Sequence, residues 1–100
     1  MVARVPIPDD RIADLCRRWR IAEFSLFGSV LTDDFGPESD VDVLVAFEQG
    51  ATTSLEAWLD LIDELQAMFG RKVDVVERRL VTNPYRRHHI LTHRTVLYAA

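Results

Sequence analysis

The sequence predicts an α/β (α+β) fold in which helices flank a small mixed sheet. Residues 41–47 alternate as a strand does, and both of their faces are mostly apolar beyond the aspartates. Residues 55–69 repeat apolar side chains at helical spacing. A valine-rich run, Lys72 to Val76, follows directly after Gly70 and predicts a further strand.

The N-terminal part predicts one helix, one strand and a turn. Asp9 or Asp10 can cap a helix that ends near Arg20. Its apolar face is formed by Ile12, Leu15, Cys16 and Trp19. A short strand is predicted over residues 24–27, and it stops at Gly28-Ser29, where Ser29 can cap a short helical turn. Residues 33–39 contain glycine and proline and are predicted to form a loop.

The C-terminal part carries clear helix boundaries. The spacing of Thr53 and Glu56 is that of a capping box. Gly70 is well placed to end the helix that follows. Asn83-Pro84 predicts the start of a last helix that runs to about His93, and residues 95–98 are read as a short strand or an ordered tail. The expected apolar face of the middle helix comprises Leu55, Trp58, Leu59, Ile62, Leu65 and Phe69.

Composition narrows the classes of function. One hundred residues predict a single domain, residues 1–100. The net charge of −4 argues against a duplex DNA binder, and the short arginine clusters are interpreted as solvated faces. Cys16 is the single cysteine, so no internal disulfide forms. No apolar run spans a bilayer and no signal-peptide layout opens the chain, so we expect a cytoplasmic protein without a membrane partner.

Asp40 and Asp42 are the first candidate site residues. They lie two apart at the start of a predicted strand, so both carboxylates project to one face, roughly 7 Å apart along the chain. Like charges on one face repel, and a divalent cation relieves that repulsion. Magnesium binds carboxylate oxygens together with phosphate oxygens. An Asp-x-Asp pair alone is weak evidence, since most such pairs simply flank a turn.

Two further features strengthen this interpretation. Gly28 allows close approach of a phosphate to the backbone, and Ser29 offers a hydroxyl. Asp74 lies in a valine-rich strand, where burial is costly unless the carboxylate is paired or bound to metal. If this strand lies beside residues 41–47, three carboxylates converge. The alternatives are an ordinary strand-to-helix turn and an edge strand with its aspartate in water.

The order of these motifs resembles the nucleotidyltransferase superfamily that includes DNA polymerase beta, in particular its minimal nucleotidyltransferase subfamily. The resemblance rests on LFGSVLTDDFGPESDVDVLV, VDVVERRL and NPYRRHHILTHRTVLY, and covers nearly the whole chain from Phe24 onward. It implies a polymerase-beta-like palm core. It also implies that Gly28 and Ser29 hold the triphosphate, that Asp40 and Asp42 bind one or two Mg²⁺ ions, and that Asp74 shares a metal and helps deprotonate the attacking hydroxyl.

The resemblance also implies a partner. Many minimal nucleotidyltransferases are encoded beside a HEPN-domain RNase toxin and act as its antitoxin, in some pairs by transferring AMP from ATP to a tyrosine of the toxin. An alternative is an antitoxin that neutralises its partner by binding alone. A third reading is a transferase for a small molecule or an RNA end, for which so short a chain would need a partner or a homodimer to complete the acceptor site.

One departure from the family bears on nucleotide binding. Many relatives place an arginine soon after the Gly-Ser pair, whereas residues 30–34 of this chain are Val-Leu-Thr-Asp-Asp. The missing basic residue favours the alternative of binding without catalysis. Arg71 and Lys72 are candidates to supply positive charge, although the sequence does not show where their side chains point.

The remaining histidine, arginine and aromatic residues do not indicate a further catalytic or metal site. His88, His89 and His93 are read as surface or interface histidines, because no acidic or cysteine partner lies at a zinc-site spacing. An arginine at 86 or 87 followed by His93 mimics a HEPN RNase signature, but the alternating strands and helices argue against an all-helical RNase. Tyr85 is expected to be exposed and able to contact a partner. Trp19, Trp58 and Phe69 are expected in the core.

Overall fold

The computed structural model describes residues 5–51 and 53–100, which form three α-helices and four strands. The helices are α1 (Asp9–Trp19), α2 (Leu55–Phe69) and α3 (Pro84–Thr92). The strands are β1 (Ile21–Phe27), β2 (Val41–Phe47), β3 (Val73–Glu77) and β4 (Arg94–Ala99). Short 3₁₀ turns follow β1 at Gly28–Leu31 and β3 at Arg78–Leu80. No helix in this part of the chain has the length and apolar character needed to cross a membrane.

The four strands form one mixed sheet in the order β3-β2-β1-β4. β1 is antiparallel to β2 and to β4, whereas β2 and β3 are parallel. The predicted α/β fold with a small mixed sheet is therefore confirmed. The C-terminal residues, left open as strand or tail, form edge strand β4. β1 begins three residues earlier than expected, because Arg20 ends α1 in the left-handed conformation (φ 56°) and Ile21 already pairs with Phe47.

Apolar layers cover both faces of the sheet. On one face, α1 and α2 pack on the odd-numbered residues of β2, and this main core contains Ile12, Leu15, Cys16, Leu61, Leu65, Val41, Val43 and Val45. On the other face, Ile90 of α3 packs with Leu44 and Val81. β2 is thus buried from both sides, as its two apolar faces predict. Burial raises the pKa of the Cys16 thiol to about 12, so this side chain behaves as a small apolar core residue.

The helix ends agree with the sequence at some positions and not at others. Gly70 ends α2 at φ +70°, and its N–H donates to the Gln66 carbonyl at 2.8 Å. The Asn83 side chain caps α3 by accepting from the N–H groups of Tyr85 and Arg86. The expected aspartate cap of α1 is wrong, since Asp9 is already helical and the preceding residue forms no side-chain cap. Both Asp9 and Asp10 instead place negative charge in the first turn.

The N-cap and the apolar face of α2 both differ from the prediction. Ser54, not Thr53, is the N-cap, and its hydroxyl accepts from the Ala57 N–H at 3.1 Å. Leu55 and Leu59 are 75% and 52% exposed, whereas Leu61 is completely buried. The predicted face is correct for Leu65 and Phe69, which are buried, and for Trp58 and Ile62, which pack partly buried against the core. It is wrong for Leu55 and Leu59, because the buried stripe is centred closer to Leu61.

The cap assignment can be tested by comparing two neighbouring hydroxyl residues. Ser54→Ala removes the side chain that satisfies an N–H of the first turn, so we expect the free energy of unfolding to fall by about 1 kcal/mol. Thr53→Ala is the matched control and should change it by less than about 0.5 kcal/mol. Urea denaturation measures both. A larger loss for Thr53→Ala would contradict the assignment and restore the capping box.

Candidate functional site

The site begins where β1 ends. Phe27 is the last residue of β1, and Gly28 turns the chain at φ +78°, a conformation that favours glycine. Ser29 lies inside the 3₁₀ turn and does not cap it, because the N-cap position is Phe27, which forms no side-chain cap; that expectation was wrong. The Ser29 carbonyl closes the turn by accepting from the N–H and the hydroxyl of Thr32, both at 2.9 Å.

The sheet register brings two of the predicted carboxylates side by side. Asp42 of β2 lies opposite Phe27 of β1 and opposite Asp74 of β3. Asp40 immediately precedes β2. The strand of Asp74 therefore lies beside that of Asp42, which is the condition named for the carboxylates to converge. The alternative also holds in part, because β3 is an edge strand and Asp74 is exposed to solvent.

Asp42 is the electrostatically perturbed member of the group. Partial burial raises the pKa of the Asp42 carboxyl above its usual range, and the negative charges of Asp74 and Asp40 raise it further. The guanidinium of Arg86 opposes these effects by lowering the pKa. The carboxylates of Asp40 and Asp74 therefore repel that of Asp42, and a bound cation would relieve this repulsion.

Gly28 and Asp42 are fitted to each other. A Cβ atom added to Gly28 would overlap the Oδ2 atom of Asp42 and would lie 3.2 Å from its Cγ. Only glycine leaves room for the carboxylate in this position. The turn after β1 and the Asp42 carboxylate of β2 thus pack against each other, although Gly28 and Asp42 belong to separate sequence motifs.

The side-chain directions of Arg71 and Lys72, which the sequence did not show, are clear in the structure. Arg71 contacts the loop before Asp40, and Lys72 points toward the Asp40 carboxylate. Arg71 donates to the carbonyls of Gly36 and Ser39, both at 3.0 Å, and its guanidinium lies 4.4 Å above the Phe35 ring centroid. It therefore holds the loop that precedes Asp40. Lys72 places its Nζ 3.9 Å from Asp40 Oδ2 and is largely exposed. Arg71 is committed to the loop, and Lys72 balances part of the acidic charge.

A cleft of about 570 Å³ opens between the Gly28 turn and α3. Its α3 side is formed by Arg86, His89, Ile90 and His93, and its other side includes Phe27, Gly28, Ser29 and Leu31. These arginine and histidine side chains were predicted as solvated, surface or interface residues, and their position beside Gly28 and Ser29 was not predicted. The signal was present, because residues 86, 89, 90 and 93 follow the i, i+3, i+4, i+7 spacing of one helical face.

The histidines of this face contact each other. The rings of His89 and His93 stack with their centroids 4.3 Å apart, and His93 Nδ1 lies 2.9 Å from the His89 carbonyl oxygen. Both side chains are exposed, in agreement with the surface interpretation. Tyr85, at the start of the same helix, is 85% exposed, as predicted.

Trp19 and Trp58 pack partly buried against the main core, which also contains Phe69.

The predicted carboxylates do not form a closed metal site on their own. Over residues 5–51 and 53–100, no three His, Cys, Asp or Glu side chains are arranged to hold a metal ion by themselves. Mg²⁺ is commonly bound by one or two carboxylates together with substrate phosphates and water. Burial, followed by the negative charges of Asp74 and Asp40, raises the pKa of Asp42, and a nearby cation would offset these effects, so the carboxylates are compatible with Mg²⁺ delivered with a nucleotide.

Comparison with known proteins agrees with this geometry. The profile of the nucleotidyltransferase domain family matches residues 11–97. The chain belongs to this family. It is therefore a nucleotidyltransferase, and the enzyme class predicted from the sequence is confirmed. The match takes in both the Gly28–Asp42 unit and the α3 wall of the cleft.

Individual relatives narrow the family. A Methanocaldococcus jannaschii protein named as a protein adenylyltransferase is 32% identical over 68 residues, which is 68% of each chain. A solved structure described as a minimal nucleotidyltransferase is 32% identical, with a TM-score of 0.71 over 87% of this chain and 86% of that one. The MNT antitoxin bound to a tri-AMPylated HEPN toxin of Shewanella oneidensis shares the fold at 21% identity, with a TM-score of 0.65 over 92% and 70% of the two chains. The recognised subfamily is thereby confirmed.

The fit between Gly28 and Asp42 gives a direct test. Gly28→Ala and Gly50→Ala both force alanine into a positive φ, of +78° and +83°, and each should cost about 1–2 kcal/mol of unfolding free energy. At Gly50 no atom lies within 4 Å of the added Cβ, so this variant isolates the backbone cost. We expect a clearly larger loss for Gly28→Ala in urea denaturation. Equal losses would show that Asp42 moves aside freely.

The raised pKa of Asp42 predicts a pH-dependent stability. The folded state binds this proton more tightly than the unfolded state, so the free energy of unfolding falls as the pH rises from the ordinary Asp value through the raised one. Asp42→Asn abolishes this titration. Without divalent metal, we expect the variant to be more stable than the wild type at pH 7, with the advantage shrinking toward about pH 4. Denaturation at both pH values measures this, and a pH-independent difference would contradict it.

Proposed function

We propose that this chain transfers AMP from ATP to a hydroxyl group of a partner protein, with Mg²⁺ as cofactor. The observation that carries the proposal is the pairing of Asp42 with Asp74 on adjacent strands, with the Gly28 turn packed against Asp42. The acceptor we propose is a tyrosine of a HEPN-family RNase toxin encoded nearby, and the chain acts as its antitoxin. The names of the related adenylyltransferase and of the AMPylated toxin complex support this assignment.

In this proposal Gly28 and Ser29 hold the nucleotide, while Asp40, Asp42 and Asp74 hold one or two Mg²⁺ ions. The ions supply charge neutralisation of the phosphates and of the attacking and leaving oxygens. The acceptor oxygen forms a bond to the α-phosphorus, the bond from that phosphorus to the β-bridging oxygen breaks, and pyrophosphate leaves. Asp74 accepts the proton of the acceptor hydroxyl. The chain contributes position and charge, and no covalent intermediate is formed on it.

The exposure of Asp74 supports a macromolecular acceptor. It lies on edge strand β3 and faces solvent, so a side chain presented by another protein can reach it without entering a closed pocket. The exposed ring of Tyr85 is a further candidate contact for the partner. We further propose that residues 1–100 act as one minimal nucleotidyltransferase domain in the cytoplasm, where ATP is available.

The function is tested by following label from ATP carrying ³²P at the α-phosphate onto the HEPN protein encoded beside the gene, in the presence of Mg²⁺. We expect the wild type to label the partner and Asp40→Asn to reduce the rate by about 100-fold or more, because a ligand of the Mg²⁺ that would stabilise the transferring phosphate is lost. Asp60→Asn, at an exposed position of α2, removes the same charge away from the site and should retain full activity.

Two other results have defined meanings. If no label is transferred while a stable complex blocks the RNase, the chain neutralises its partner by binding, the alternative favoured by the lack of a basic residue after Ser29. If Asp40→Asn labels the partner at the wild-type rate, the assignment of the metal-binding carboxylates is wrong. Mapping the labelled peptide identifies the acceptor residue, and a serine or threonine would overturn the assignment to tyrosine.

A further inference from the structure

If the cleft between the Gly28 turn and α3 binds the nucleotide, it needs a source of positive charge that the Gly28 turn does not supply. A bound triphosphate carries several negative charges, and residues 30–34 add two aspartates with no basic side chain. Asp34 itself lines the cleft. Arg71 is held by two loop carbonyls and by Phe35, and Lys72 lies beside Asp40. Beyond the charge of Mg²⁺, a basic side chain that contacts the triphosphate would therefore come from another element.

Arg86 is the arginine that lines the same cleft as Gly28 and Ser29. It belongs to the first turn of α3, where the Asn83 side chain accepts from its N–H at 3.1 Å. Pro84 at the first helical position further restricts the backbone of this turn. The guanidinium is near enough to the acidic strands for its charge to act on Asp42. Its backbone is thus fixed while its side chain is exposed to the cleft.

The adjacent Arg87 differs in its contacts. Its guanidinium donates to the carbonyls of Arg78 at 2.9 Å and of Val81 at 3.3 Å, which ties α3 to the turn after β3. It does not line the Gly28 cleft. The two consecutive arginines therefore have separate tasks, since Arg87 anchors the helix that carries Arg86. Their adjacency in sequence concealed this difference.

We propose that Arg86 binds the triphosphate chain of the nucleotide, replacing from α3 the basic residue that is missing after Ser29. This inference rests on the proposed function, because it assumes that the cleft holds the nucleoside triphosphate. A guanidinium presents paired N–H donors that match phosphate oxygens, and such charge-assisted hydrogen bonds are stronger than neutral ones. As pyrophosphate departs, negative charge grows on the oxygens that Arg86 contacts, so Arg86 also favours the transfer step.

The test compares nucleotide affinities of Arg86→Gln, Arg86→Lys and the wild type by calorimetry, with Mg²⁺ and either the non-hydrolysable analogue AMP-PNP or AMP. We expect Arg86→Gln to bind AMP-PNP at least about tenfold more weakly, the effect of losing hydrogen bonds to a charged group. AMP affinity should change less than about twofold, because AMP lacks the β- and γ-phosphates. Arg86→Lys should recover part of the lost affinity, since lysine keeps the positive charge but lacks the paired N–H donors of the guanidinium.

A matched control is Arg17→Gln, which removes the same charge from an exposed position of α1 on the opposite face of the sheet. It should leave both affinities unchanged, and thermal melting should show that all variants are folded. Unchanged AMP-PNP affinity in folded Arg86→Gln would overturn the inference. Equal weakening of AMP and AMP-PNP would also overturn it, because the contact would then lie outside the β- and γ-phosphates.

The same measurements separate this inference from the proposed function. A wild type that binds AMP-PNP but labels no protein refutes the transfer reaction, while the variants still decide whether Arg86 binds the triphosphate. A wild type that binds neither nucleotide refutes both proposals. Weakened AMP-PNP binding in Arg86→Gln, together with slower labelling of the partner protein, supports both.

Discussion

The contact between the Gly28 backbone and the Asp42 carboxylate is the constraint on which the site depends. Any Cβ at residue 28 would occupy the space of the carboxylate, so the turn after β1 and the start of β2 must be built together. The antiparallel register that places Phe27 opposite Asp42 makes this contact possible, and the parallel register of β3 then adds Asp74. A slip of one residue in either register would move these side chains to the opposite face of the sheet.

The sheet therefore holds the carboxylate of Asp42 close to those of Asp40 and Asp74 despite their like charges. The odd-numbered residues of β2 are buried beneath α1 and α2, and this burial fixes the direction in which Asp42 projects. Desolvation and neighbouring carboxylates raise its pKa, so the apo protein pays in stability for an acidic cluster that suits a metal-bound nucleotide. A carboxyl whose pKa is raised by burial and by neighbouring charges is common at functional sites.

Helix α3 gives the site its second wall and part of its charge balance. Its inner residue Ile90 packs on Leu44 beneath the sheet, while Arg86, His89 and His93 face the cleft. The Arg87 contacts with the carbonyls of Arg78 and Val81 hold the helix in place. In our proposal, Arg86 of α3 replaces the basic residue that this chain lacks after Ser29, a replacement that the local motif does not reveal.

Local periodicity and capping chemistry were enough to predict the strand Val41–Phe47, the C-terminal end of α2 at Gly70, the start of α3 at Asn83 and the α/β class. It also carried the family motifs that include Asp40, Asp42 and Asp74. Other features could be seen in the folded chain alone: Leu55 and Leu59 face solvent, Arg71 binds carbonyls of the loop before Asp40, and α3 faces Gly28. These are relations between residues distant in the chain, and they follow from strand register and helix packing, which local patterns do not specify.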